Sequence, residues 1–133
     1  MKKIEHIGIA VNNLEDATLL YEKLLGVLPY KKEEVTTEGV TTVFFKTASN
    51  KIELLEAVNL ESPIAKFIDK KGEGIHHIAF EVEDIKLEIV RLKNEGFVIL
   101  NDVPRMGADN KWVVFLHPKC TSGVLIELCQ EII

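Results

Sequence analysis

The chain states its polar signatures twice. The run His6-Ile7-Gly8-Ile9-Ala10-Val11 returns 71 residues later as His77-Ile78-Ala79-Phe80-Glu81-Val82. Lys51-Ile52-Glu53-Leu54-Leu55 returns as Val124-Leu125-Ile126-Glu127-Leu128-Cys129, with the two glutamates 74 residues apart. Each copy sets one metal-competent side chain inside a short apolar run. Two similar halves, each offering one His and one Glu, constrain the chain to a duplicated architecture and suggest a metal site shared between them.

The spacing of apolar residues extends the repeat. An Ile/Val-rich run over 4–11 reads as a strand, and Asn12-Asn13 follows as a helix cap, because a side-chain amide oxygen accepts an orphan backbone N–H. Leu14, Ala17, Tyr21 and Leu24 recur at helical spacing, and Gly26 stops the helix. The second half repeats the plan with a strand over 75–83, Asp84 as cap, Ile85, Ile89 and Leu92 as the helical stripe, and Gly96 where Gly26 stood. Further strands are expected near 28–35, 40–47 and 51–57, then near 98–100, 111–117 and 124–130. Loops are expected at 101–110 and 118–123, where turn-forming residues gather. Each half is thus βαβββ, with module one at about 1–60 and module two at about 74–133. Ser62, Pro63 and Gly72 mark a linker helix over about 62–72. The whole of 1–133 reads as one domain.

Strand parity then orients the polar residues. Alternate side chains on a strand face opposite ways. His6 shares a face with Gly8 and Ala10, and His77 with Ala79 and Glu81. Glu53 opposes Ile52 and Leu54, and Glu127 opposes Ile126 and Leu128. The large aliphatic set packs on the helices, and small residues beside the histidines leave room for a ligand. Two imidazoles and two carboxylates suit a divalent first-row metal, and Co, Mn, Ni and Zn all qualify. His76 has the opposite parity to His77 and is expected to cap or pack. His117, at a strand end, could line the cleft.

Bulk properties exclude some partners. A net charge of −5 disfavours nucleic acid and anionic membrane surfaces. No apolar stretch is long enough to span a bilayer, and Glu5 and His6 interrupt any signal-peptide core. The expected compartment is the cytoplasm, with Cys120 and Cys129 reduced and serving as small hydrophobes or simple thiols.

Paired βαβββ modules with these His and Glu positions resemble the vicinal oxygen chelate superfamily, which includes glyoxalase I, extradiol dioxygenases, antibiotic-resistance proteins and methylmalonyl-CoA epimerases. Three blocks narrow the resemblance. They are Lys51-Ile52-Glu53-Leu54-Leu55-Glu56, the stretch from Ser62-Pro63-Ile64-Ala65-Lys66-Phe67 through Gly72-Glu73-Gly74-Ile75-His76-His77 to Val82, and His117-Pro118-Lys119 through Gly123 to Leu128. Together they are similar to the methylmalonyl-CoA epimerase family over nearly the whole chain.

The resemblance implies an α+β fold in which the two modules form a cupped, mostly antiparallel eight-stranded sheet around a metal site. It implies His6, Glu53, His77 and Glu127 as ligands of a divalent ion, and an acyl-CoA as substrate. It also implies a two-fold homodimer. The implied reaction interconverts the C2 epimers of methylmalonyl-CoA by proton abstraction and return through a metal-stabilised enolate, with Glu127 as one candidate base. Some epimerases place a second Glu three residues after the Gly of the Gly39-Val40 motif. Here that position is Thr42, which is no carboxylate, and Glu38 is the nearby substitute. Lys119, Lys111 and Arg105, in or beside second-half loops, could meet the CoA phosphates. Trp112 and Phe115 are expected in the core. Two alternatives stay open: a glyoxalase I-like isomerase or other metalloenzyme of the superfamily, and a metal-free module that binds a small molecule such as an antibiotic. A ring-cleaving dioxygenase calls for two His and one carboxylate, and a fourth ligand argues against it.

Overall fold

The β-branched runs become strands and the 3.6-period runs become helices in a computed structural model of the chain, which describes residues 1–133. In order, the elements are β1 (Lys3–Ala10), α1 (Leu14–Leu25), β2 (Lys31–Val35), β3 (Val40–Lys46), β4 (Lys51–Ala57), α2 (Pro63–Lys71), β5 (Gly74–Glu81), α3 (Ile85–Asn94), β6 (Arg105–Gly107), β7 (Lys111–Leu116) and β8 (Ile126–Glu131), with a short 3-10 turn at Pro118–Cys120. The strands form one eight-stranded sheet in the order β2-β3-β4-β1-β5-β8-β7-β6. The sheet is mixed. β1–β4 and β5–β8 are parallel, while β2–β3, β3–β4, β6–β7 and β7–β8 are antiparallel. Contacts divide the chain into two compact units, His6–His76 and Met1–Glu5 together with His77–Ile133.

The two units are built on the same cores. In the first, Val11, Leu14, Ala17, Val43, Phe45 and Leu54 pack together, joined by Ile9, Tyr21, Leu25 and Ile52. In the second, Val82, Ile85, Ile89, Leu92, Ile99, Val114, Leu116 and Leu128 do so, joined by Phe80, Phe97 and Ile126. Leu54 and Leu128 hold the same place in the repeat, and each is fully buried. Burying a side chain of that size contributes roughly 1.5–3 kcal/mol.

The helix starts are fixed by local and distant acceptors. Asn13 accepts the Asp16 N–H at 2.9 Å, and Asp84 accepts those of Lys86 and Leu87 at 3.1 and 3.2 Å. Ser62 accepts the Ile64 N–H at 3.1 Å, with Pro63 in the first turn. A further orphan donor at each helix start is taken by a strand residue. The Leu14 N–H donates to Glu56 Oε2 at 2.8 Å and the Ile85 N–H to Gln130 Oε1 at 2.7 Å. Glu56 and Gln130 stand 74 residues apart, the interval that also separates Glu53 from Glu127.

Several boundaries depart from the sequence reading. β2 begins at Lys31 rather than near residue 28, because Pro29 has no N–H and the ladder starts with Tyr30 N–H to Phe44 O at 2.9 Å. Residues 98–100 form only a single bridge, Ile99 to Leu116, flanked by Leu100 N–H to Phe115 O and His117 N–H to Val98 O. The edge strand is instead β6, inside the stretch read as a loop. It is three residues long, and the turn that pairs it with β7 uses Asp109 and Asn110, both at φ 58°. So short a strand leaves no periodicity to detect. Leu24 is 69 % exposed, and Leu25 takes its expected place against the core. α3 ends at Asn94, capped by Glu95, and Gly96 follows at φ 93°. β8 begins at Ile126, two residues later than expected.

Candidate metal centre

In the first unit His6 lies on β1. Gly8, two residues on, opposes Glu53 on the parallel strand β4, and Phe44 of β3 opposes Glu53 from the other side. His6 Nε2 and Glu53 Oε1 are 3.3 Å apart, with side chains 6 % and 5 % exposed. The Phe44 ring meets His6 edge-on at 6.1 Å and 89°. The second unit repeats each feature. Ala79 of β5 and Phe115 of β7 oppose Glu127 on β8. His77 Nε2 and Glu127 Oε1 are 3.4 Å apart, with side chains 3 % and 7 % exposed. Phe115 meets His77 edge-on at 6.0 Å and 89°. In both units a small residue leaves space on one side of the carboxylate, and an aromatic edge fixes the imidazole.

The His–Glu spacing carries chemical information. A charge-assisted N–H···O bond runs to about 2.7–2.9 Å, and both contacts are longer. Two ligand atoms on one divalent ion, each about 2.0–2.2 Å from it, stand about 3.0 Å apart at a right angle and about 3.4 Å apart at the tetrahedral angle. Both pairs match that spacing. The donor set of imidazole nitrogen and carboxylate oxygen suits first-row dications. Buried carboxylates also require a cationic or donor partner to offset their desolvation.

The other expected residues are scattered. Glu38 is half-buried in the turn between β2 and β3, beside Gly39 at φ 67°. Lys119 is exposed on the 3-10 turn, where His117 Nδ1 accepts its backbone N–H at 3.1 Å. Arg105 is exposed on β6 rather than in a loop. Lys111 is not a solvated charge. It is 4 % exposed, and its Nζ lies 3.7 Å from Glu131 Oε1. Phe115 is half-buried against His77, but Trp112 is not core. It points the other way on β7, is 37 % exposed, and lines a hollow of about 630 Å³ with Val103, Pro104, Lys86 and Gln130. His76 packs, with its ring edge-on to Phe67 at 4.9 Å.

Two buried groups have surroundings that the sequence did not announce. Glu5 is 3 % exposed, although its place beside His6 marked it only as an interruption of an apolar run. Thr42 is fully buried, and its Oγ1 has no hydrogen-bond partner. Cys129, two residues from Glu127 and on its face, is buried and directs Sγ to Phe80 O at 3.6 Å. Burial pushes its thiol well above the usual range, and the Glu127 and Glu5 carboxylates push the same way. Cys129 is therefore inert. In the native protein a thiol reagent is expected to label Cys120 alone, which is half-buried. Cys129 should react only on unfolding. Mass spectrometry before and after denaturant checks this, and native labelling of Cys129 would contradict it.

A duplicated βαβββ sheet with one buried His–Glu pair per repeat defines a class, and comparison with known proteins agrees. Residues 5–115 match the Glyoxalase/Bleomycin resistance protein/Dioxygenase superfamily, and the chain belongs to that family. Its relatives narrow the class to methylmalonyl-CoA epimerases, which are isomerases. The chain is 42 % identical to the ethylmalonyl-CoA/methylmalonyl-CoA epimerase of Cereibacter sphaeroides, over 96 % of this chain and 97 % of that one. It is also 42 % identical to the mitochondrial methylmalonyl-CoA epimerase of Dictyostelium discoideum, over 97 % and 78 %. Among solved structures, a variant of Streptomyces coelicolor methylmalonyl-CoA epimerase in complex with 2-nitronate-propionyl-CoA superposes with a TM-score of 0.96 at 32 % identity, covering 100 % of this chain and 99 % of that one.

Proposed function

We propose that the chain epimerises methylmalonyl-CoA at C2 and that His6, Glu53, His77 and Glu127 together hold one divalent metal ion. The observation that carries the reading is the repeat of one buried His–Glu contact, at 3.3 and 3.4 Å, in a chain related over its whole length to epimerases of this substrate. When bound, such an ion supplies positive charge where negative charge develops on the thioester oxygen.

The chain's own residues supply the rest. The C2–H bond of the substrate lies between a thioester and a carboxylate, so its electron pair delocalises on loss of the proton. Glu127 accepts that proton on one face, and inversion is completed when a proton is delivered to the opposite face, by a second acid there or by Glu127 itself after the intermediate turns in the site. Glu38 was the expected second group. It lies in the turn before β3, and the strand from Val40 to Phe44, which opposes Glu53, alone spans roughly 13 Å. We therefore do not give Glu38 the second transfer. The two aromatic edges hold the imidazoles in place, and the apolar residues around each pair exclude water.

We further propose a homodimer. No helix is long and apolar enough to cross a membrane. Two free cysteines suit a reducing compartment, which we take to be the cytoplasm. The test is deuterium exchange into methylmalonyl-CoA in heavy water, with metal-loaded and chelator-treated protein. Deuterium is expected at C2, coupled to epimerisation and dependent on metal. Absence of exchange with Co, Mn, Ni and Zn alike would turn the reading to a glyoxalase-like isomerase or a metal-free binding module.

A further inference from the structure

We propose that Thr42 determines specificity by donating a hydrogen bond from its hydroxyl to an oxygen of the substrate's malonyl head. The inference rests on the epimerase reading and names the contact that selects a 2-substituted malonyl thioester over a simple acyl thioester. Thr42 is fully buried and its Oγ1 is unpartnered. Leaving a buried hydroxyl unsatisfied costs about 1–3 kcal/mol, so a position like this is filled by an apolar residue unless a ligand completes the bond.

The register points the side chain toward the His–Glu pair of its own unit. Phe44 stands directly opposite Glu53, and Thr42, two residues before Phe44, stands opposite Leu55, two residues after Glu53. Thr42 is therefore on the Glu53 face, at the diagonal position, for which residues stand about 7–8 Å apart and their Cβ atoms somewhat closer. A malonyl head of a few atoms, held beside Glu53, spans that distance.

The repeat supplies an internal control. In the second unit Phe115 opposes Glu127 and Val113 opposes Cys129. Val113 thus holds the place of Thr42, and it is buried at 6 % exposure. Valine has the shape of threonine with a methyl for the hydroxyl. The fold accepts it there, so packing does not explain the hydroxyl. A site that completes its hydrogen bonding only with the right ligand rejects analogues lacking the acceptor, because they leave the polar group unpaired.

The experiment compares wild type, Thr42→Val and Thr42→Ser in denaturant unfolding and in epimerisation kinetics. Thr42→Val should unfold at the same or a higher denaturant concentration, because it removes an unsatisfied group. Its kcat/KM for methylmalonyl-CoA should fall about 10- to 100-fold, chiefly through KM. Thr42→Ser should recover most of that loss. If wild type epimerises and Thr42→Val has unchanged KM, the inference fails while the enzyme reading stands. It also fails if Thr42→Val is less stable and Thr42→Ser restores that stability, since the hydroxyl would then be serving the fold. A wild type that neither epimerises nor binds methylmalonyl-CoA overturns both readings.

Discussion

Replacing Glu127 by Ala is expected to lower C2 proton exchange by at least about 100-fold, the lower end of what a positioned acid or base contributes. Glu127 is buried at 5 % exposure and its carboxylate faces His77 at 3.4 Å, so no neighbouring water takes over its role cheaply. The carboxylate is asked to serve as ligand and as base, and a cation nearby weakens a carboxylate as a base. Glu127→Gln separates the two roles. The amide oxygen can still approach a metal, but it cannot carry the proton. Retained metal binding with lost exchange would assign Glu127 to proton transfer, whereas loss of both would assign it to ligation first. Exchange at the wild-type rate in the Ala variant would remove Glu127 from the mechanism.

Divalent metal is expected to raise the melting temperature by about 10 °C when present at about 100 times its dissociation constant. A ligand that binds only the folded state at that excess stabilises by about 2.7 kcal/mol, and a chain of this length gains about 3–4 °C per kcal/mol. The gain should shrink to a similar degree in His77→Ala and in His6→Ala, because each removes one imidazole from a buried pair. Thermal scans of chelator-treated protein with Co, Mn, Ni and Zn test it. No shift with any of the four would favour the metal-free binding module.

Much of the fold was legible because its signals are local. Asn13, Ser62 and Asp84 accept N–H groups two or three residues away, so a cap followed by an apolar stripe reads correctly in one dimension. Strand parity likewise put His6 and Glu53, and His77 and Glu127, on shared faces, and each pair is in contact. The repeat made that reading stronger than four isolated residues would allow.

What stayed hidden depends on distant partners. Glu56 and Gln130 cap helices 42 and 45 residues away, and nothing adjacent to them announces it. β6 is too short to show alternation. Leu24 and Leu25 compete for one helical face, and a stripe drawn at ideal spacing selects the wrong one. Thr42 was noticed as a missing carboxylate. Its unpaired hydroxyl became visible only once the surrounding atoms were placed.

The division of the chain after Glu5 has a consequence for the order of assembly. Met1–Glu5 belongs with His77–Ile133, and the Lys2 N–H donates to Glu81 O at 2.8 Å. A ribosome delivers those five residues before His6–His76, yet their partners emerge only after that whole unit has been made. His6–His76 can gather its own contacts as it leaves the exit tunnel, while Met1–Glu5 wait for theirs. Closing that contact joins segments nearly 80 positions apart, the kind of non-local pairing that slows folding. Residues made before the intervening unit are thus placed only after it.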